Sequence, residues 1–291
     1  MASTPGQFEM TLRPNELLAG KVRLVPSAPK FTGASEWQKV LDLCRQRFAQ
    51  ETTPYPFLAD LLAWNPIVGS VYVVGGAIRD ILIEVLHGTQ SPTHDVDIVV
   101  DTQAPNEAIV ELVGRVALAA ERRYECKRTS FGGVHAEYSA HASPMDDERF
   151  PDFDVWRLAD SYQVRALNVP ARIEEVVARA GMPLGAIAYG IENGEIIDGG
   201  CGHAVAARQI DFQDRLYRTH SQIAKALELE SRLGFQFSEQ AVKVMRTAKS
   251  PAADREIGSY LRRHHRPPEA QALLGRWASI TAGEGARGAG P

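Results

Sequence analysis

The sequence predicts an α/β (α+β) fold for roughly the first two hundred residues, followed by a small all-helical part. Two patterns carry this reading. Short apolar runs ended by glycine or polar turns alternate with segments of helical period as far as Asp211, and beyond it only helical periodicity continues. The chain has 291 residues, 44% of them hydrophobic and 23% charged, enough to bury a core in one or two domains and to exclude disorder of the whole.

Residues 1–33 are punctuated by Pro5, Pro14, Pro26, Pro29 and Gly33 and read as an irregular arm. Ser35 is expected to cap a helix to about Gln50, on which Trp37, Val40, Leu41, Cys44 and Phe48 recur at helical spacing. A short helix over Phe57 to Trp64 follows, then an apolar strand, Val71-Tyr-Val-Val74, broken at Gly75-Gly76. Ile78, Ile81, Leu82, Val85 and Leu86 mark the next helix, His94 to Val100 the next strand, and Asn106 to Glu121 another helix. Strands are expected over Tyr124 to Thr129, Gly133 to Ser139 and Phe153 to Leu158, the last after a polar loop from Pro144 to Pro151. Helices are expected over Leu216 to Leu233, Ser238 to Ala248, Asp254 to Arg263 and Pro268 to Ile280, with a chain break at Ser250-Pro251. The resulting division is an arm (1–33), a head (34–213), a helical neck and body (214–281) and a disordered tail (282–291).

No run approaches the eighteen or so apolar residues of a membrane span, and the N-terminus MASTPGQFEM lacks the features of a secretion signal; a cytoplasmic protein without a membrane partner is expected. Cys44, Cys126 and Cys201 form no CxxC pair, which argues against a disulfide framework or a zinc ribbon. Charge is uneven: residues 1–213 carry 19 Lys+Arg against 28 Asp+Glu, and residues 214–291 carry 13 against 8. The acidic part calls for cations, and the basic part suits either a polyanion or solvent.

A strand that stops at Gly75-Gly76 and turns into a helix presents free backbone N–H groups at the positive end of the helix, a place that favours phosphate. Arg79 sits one turn further on. Asp95 and Asp97 alternate on a strand, so their carboxylates share a face with Cα atoms about 7 Å apart. Apolar Val96 and Ile98 to Val100 place that strand in a core, where two like charges are stable only with solvent or a cation between them. The pair therefore reads as ligands for Mg²⁺ or Mn²⁺. Asp154, opening the strand Asp154-Val-Trp-Arg157, can add a third carboxylate, the set that two-metal phosphoryl transfer uses. Arg79 and Arg157 would then neutralise phosphate charge. His135, His141 and His203 show no metal-ligand spacing and read as surface or loop residues; Trp156, Tyr162 and Tyr189 read as core aromatics. Arg262, Arg263 and Arg266, in the cluster Arg262-Arg-His-His-Arg266, are candidate contacts for RNA phosphates.

Val74-Gly-Gly-Ala-Ile-Arg-Asp80, Asp95-Val-Asp97, Ser130-Phe-Gly-Gly133 and Asp154-Val-Trp-Arg157 resemble the successive motifs of the head domain shared by bacterial poly(A) polymerases and CCA-adding tRNA nucleotidyltransferases. Leu184 to Tyr189, Glu195 to Asp198 with Gly200, and Arg232-Leu-Gly-Phe235 resemble that family's later strand, turn and neck helix, so the likeness runs from about Pro56 to Ala248. The resemblance implies a nucleotidyltransferase palm with a helical neck. It implies that Gly75, Gly76 and Arg79 bind triphosphate with Arg157 close by, that Asp95 and Asp97 bind metal, and that Asp154 completes the acidic site. The reaction implied is attack of an acceptor hydroxyl, on RNA, at the α-phosphate of a nucleoside triphosphate.

Two later motifs depart from the family. Where it has two arginines and an aspartate, this chain reads Arg179-Ala-Gly-Met-Pro183; where its neck carries an acidic pair and then arginine, this chain reads Arg218-Thr-His-Ser-Gln222. A base-reading site without its hydrogen-bonding pair cannot separate CTP from ATP in the family's way. Three expectations stay open from sequence: a transferase acting on RNA, an enzyme of the same fold acting on a protein or small molecule, and a non-catalytic binding relative.

Overall fold

The computed structural model describes residues 17–18, 21–26, 28–63, 69–89, 95–119, 124–129, 132–138, 150–213 and 219–283. Two short strands come first, β1 (Leu17–Leu18) and β2 (Val22–Leu24), in the segment expected to be an irregular arm. Helix α1 (Ala34–Phe48) follows, with Gly33 at its N-cap rather than Ser35, whose Oγ donates to the Glu36 carboxylate instead. Then come α2 (Pro56–Ala63), β3 (Ser70–Val74), α3 (Gly76–His87), β4 (Asp95–Asp101) and α4 (Asn106–Ala119). The next elements are β5 (Tyr124–Arg128), β6 (Val134–Tyr138), β7 (Asp152–Arg157), α5 (Tyr162–Leu167) and α6 (Ile173–Ala178). These are followed by β8 (Ile187–Gly190), β9 (Glu195–Asp198), α7 (Cys201–Ala206) and β10 (Gln209–Ile210). The helical part comprises α8 (Thr219–Leu233), β11 (Gln236–Phe237), α9 (Glu239–Ala248), α10 (Pro251–His264) and α11 (Pro267–Ala282).

The main sheet has nine strands in the order β1-β2-β9-β8-β3-β4-β7-β6-β5. It is mixed: β2 with β9 and β4 with β7 run parallel, and the remaining neighbours are antiparallel. Strand signals do not stop at Asp211, because β11 pairs parallel with β10 in a separate two-stranded ribbon. The expectations for Trp64, His94, Glu121, Ser130, Ser139, His141, the loop from Pro144 to Arg149, residues 214–218 and the tail from 284 onward lie outside the described residues.

The alternation of β4 decides what each face of the sheet meets. Val96, Ile98 and Val100 point into the large core with Ile78, Ile81 and Leu82 of α3 and Ile109, Leu112, Val113 and Val116 of α4. Val99 points the other way, into a smaller cluster with Tyr72, Val74, Ile173, Val176 and Ala188. Each fully buried Ile, Leu or Val contributes about 1.5–3 kcal/mol, so the helix-covered face anchors the sheet. The opposite face is only partly covered, and there the polar residues of β4, β7 and β6 emerge. In the helical part, Ser238 and Ser250 accept N–H bonds from Ala241 and Ala253 and cap α9 and α10. Pro251 is the first residue of α10, so the expected break is a helix start.

Candidate active site

Strand β3 ends beside the start of β4. Val74 is paired with Asp97, Asp97 with Asp154 across the parallel β4–β7 pair, and Asp154 with His135 across the antiparallel β7–β6 pair. Residues paired in this way point to the same face, so the row brings two carboxylates and an imidazole together beside the end of β3. Gly75 follows Val74 with φ 68° and ψ −119°, a conformation an L side chain rarely adopts. A Cβ at Gly75 would stand 3.8 Å from Asp97 Oδ2, which puts the turn directly against the carboxylate. Helix α3 starts at Gly76, so its first N–H groups open at the same edge of the sheet.

Asp97 is half-buried. Burial first, and then the neighbouring Asp154 charge, push its carboxyl up to about 7; Asp95 adds to this, while Lys225 and Arg79 pull it down. A carboxylate both desolvated and set beside another acid is the harder of the two to ionise on each count. Asp95 shares the face but is exposed, paired with Asp152, whose carboxylate accepts the Tyr138 N–H at 2.8 Å. Among the described residues no group of three or more metal-ligating side chains stands preassembled. The donors that share this face are hard carboxylate oxygens, the kind that Mg²⁺ or Mn²⁺ takes.

Arg79 is buried at the first turn of α3. Its Nε and Nη2 both donate to Asp80 Oδ1, at 2.9 and 2.8 Å, and Nη2 lies 3.4 Å from where a Gly76 Cβ would be. The guanidinium thus folds back over the glycine turn while held by its own sequence neighbour. Arg157 is not brought to this place. It stands three residues after Asp154, pairs with Val100 on the face of the large core, and is held by Asp160 Oδ2 at 2.8 Å and the Ala104 carbonyl at 3.0 Å. The expectation that Arg157 lies close to the acidic residues is corrected by strand parity: an odd spacing puts it on the other face. Arg262, Arg263 and Arg266 are exposed where α10 gives way to α11, in the helical part and not on the sheet.

Two residues near the site were not singled out from sequence as members of it. His135 was read as surface or loop, yet it lies on β6 with Nδ1 3.0 Å from Asp154 Oδ1. Lys225 shares a face of α8 with Gln222 and Arg232. Gln222 lies against Gly181, whose Cβ would fall 2.6 Å from the Gln222 amide carbon, and Arg232 Nη2 stands 3.6 Å from Asp80. With that face held at Gly181 and Asp80, the Lys225 charge is near enough to pull the Asp97 carboxyl down. The helical spacing of 222, 225 and 232 was available as a signal; the partner surface was not.

No family model matches the chain, and no curated protein matches it. Among solved structures, a CCA-adding enzyme in an apo form is similar over 78% of this chain and 50% of that one, at 18% identity and a TM-score of 0.50. A tRNA nucleotidyltransferase complexed with a primer tRNA and an incoming ATP analogue is similar over 73% and 58%, at 19% identity and a TM-score of 0.46. The chain spans between 50% and 58% of the length of these structures. The mixed sheet with flanking helices is the nucleotidyltransferase-like fold of the CCA-adding enzyme. No helix among the described residues is long and apolar enough to cross a membrane.

Proposed function

We propose that this chain is a nucleotidyltransferase that moves a nucleoside monophosphate from a nucleoside triphosphate to a hydroxyl acceptor at an RNA 3′ end. The observation that carries the reading is the register Val74–Asp97–Asp154, which pairs two carboxylates on one face and sets that of Asp97, raised by burial and by its acidic neighbour, against the Gly75 turn and the start of α3. Backbone N–H groups at that helix start suit the phosphates of the nucleotide. Arg79 adds charge at the same turn, with Nη1 taken by no described hydrogen bond. Lys225 brings a further cation from α8.

Asp97, with Asp95 and Asp154, would hold Mg²⁺ or Mn²⁺, which supplies charge neutralisation and a lowered hydroxyl pKa when bound. The acceptor hydroxyl gives up its proton to solvent as its oxygen forms a bond to the α-phosphorus, the bond to the bridging oxygen breaks, and pyrophosphate leaves with the electron pair. The turn, Arg79 and Lys225 act on the leaving phosphates, where negative charge accumulates. Exposed Arg262, Arg263 and Arg266 supply a basic surface suited to RNA phosphates.

The test is incubation with each α-labelled triphosphate, Mg²⁺ or Mn²⁺, and total RNA or cell extract. Label on RNA supports the reading. Label on protein or on a small molecule assigns the same fold a different acceptor, and no transfer under any condition overturns the enzymatic reading.

A further inference from the structure

We propose that His135 is a positioning residue of the acidic site, its imidazole holding the Asp154 carboxylate in place for a divalent cation shared with Asp97. The proposal rests on the metal reading above and adds a residue to it. Val134 and Ala136 are buried, whereas His135 between them is turned to the other face of β6 and is half-exposed. The β6–β7 register sets it opposite Asp154, and its Nδ1 reaches Asp154 Oδ1 at 3.0 Å. An ionised carboxylate only accepts hydrogen bonds, so Nδ1 carries the proton and donates it. Asp154 Oδ2 accepts none of the hydrogen bonds among the described residues and is left for a cation.

The need for such a donor follows from the row itself. Asp154 faces Asp97 in register, its side chain is 37% exposed, and the repulsion between the two would swing the Asp154 carboxylate toward water. A hydrogen bond from the far side opposes that rotation and holds the carboxylate where both acids can reach one ion. Lys127, paired with His135 on β5, is engaged with Glu137, so the imidazole is the described group that reaches Asp154 from this side.

The experiment is titration of the full chain with Mn²⁺, followed by the electron paramagnetic resonance of the free ion, in wild type, His135→Leu, His135→Asn and Asp97→Ala, with thermal melts of each. His135→Leu is expected to weaken Mn²⁺ binding about tenfold, as loss of an orienting partner does. His135→Asn, whose amide N–H falls near the Nδ1 position, is expected to stay within about threefold of wild type, and the two variants should melt alike. Wild-type affinity in His135→Leu, or equal loss in both His135 variants, overturns the proposal while the loss in Asp97→Ala leaves the metal reading standing. Absence of Mn²⁺ binding by the wild type overturns the metal reading and this proposal with it.

Discussion

Arg232 of α8 and Arg79 of α3 converge on one oxygen of Asp80: Arg79 donates to Oδ1 through Nε and Nη2, and Arg232 Nη2 stands 3.6 Å away. The helix that starts at the glycine turn and helix α8 are thereby tied through a single buried carboxylate. Asp80 and Arg79 are nearly inaccessible, with 5% and 10% of their side chains exposed, while 42% of Arg232 is exposed.

The three partners should therefore respond unequally to removal. Asp80→Ala strands a buried guanidinium without a counter-charge and is expected to cost about 3 kcal/mol or more. Arg232→Ala removes a partly solvated partner and is expected to cost less than about 1 kcal/mol. Urea denaturation of the two variants checks the order, and equal losses would show that Asp80 does not depend on Arg79 as its main partner.

Arg79 and Arg157 make a second contrast. Arg79→Ala should weaken binding of a non-hydrolysable ATP analogue with Mg²⁺ several-fold, because the guanidinium lies over the Gly76 turn. Arg157→Ala should leave that affinity unchanged, because its donors are spent on Asp160 and Ala104 on the opposite face. Calorimetric titration distinguishes them, and unchanged affinity in Arg79→Ala would make the turn purely structural.

Asp198 sets a pH dependence away from the acidic row. It is fully buried at the end of β9; Oδ1 accepts the N–H groups of Gly200 and Gly202, and Oδ2 has no partner. Burial pushes its carboxyl up to about 6 despite those N–H groups, which pull it down. A carboxyl raised in the folded state binds a proton that the unfolded chain releases, so its favourable contribution is complete below about pH 4. It fades as pH rises to about 6, a loss of order 3 kcal/mol, and stays level above that. Asp198→Asn should flatten this part of the profile, as measured by urea midpoints from pH 4 to 7. An unchanged slope in the variant would assign the dependence to another group.

Nucleotide choice should be weak at α8. Thr219 and Gln222 stand where the resembled family's neck carries an acid and an arginine, and the Gln222 amide is packed over Gly181. A base left without a charged reader is held mainly by stacking, which tolerates any identity. With a tRNA lacking its 3′ end and all four triphosphates, the products should show little preference between ATP and CTP and no ordered, terminating CCA end. Sequencing the products checks this, and clean CCA addition would show that the base is read elsewhere.

The α/β class, the Gly75 turn and the alternation of Asp95 and Asp97 are legible in the sequence because each is local. A period of two, a glycine pair and a helical stripe need only near neighbours. Even the displacement of Arg157 was readable, since three residues from Asp154 is an odd step on a strand. The short strands β1, β2 and β11 were not, because two or three residues hold too little periodicity to stand out. They are strands only because an edge elsewhere in the chain offers backbone partners: Ile196 to Asp198 for β2, and Gln209 and Ile210 for β11. The same limit hid His135 and Lys225. Whether an imidazole on β6 meets Asp154 depends on the register of two strands that are well apart in the sequence, and whether the Lys225 charge reaches the acids depends on how α8 is fastened at Gly181 and Asp80. Chemistry at one position is set by the side chain, but its partners across a sheet or between helices are set by packing that no local pattern encodes.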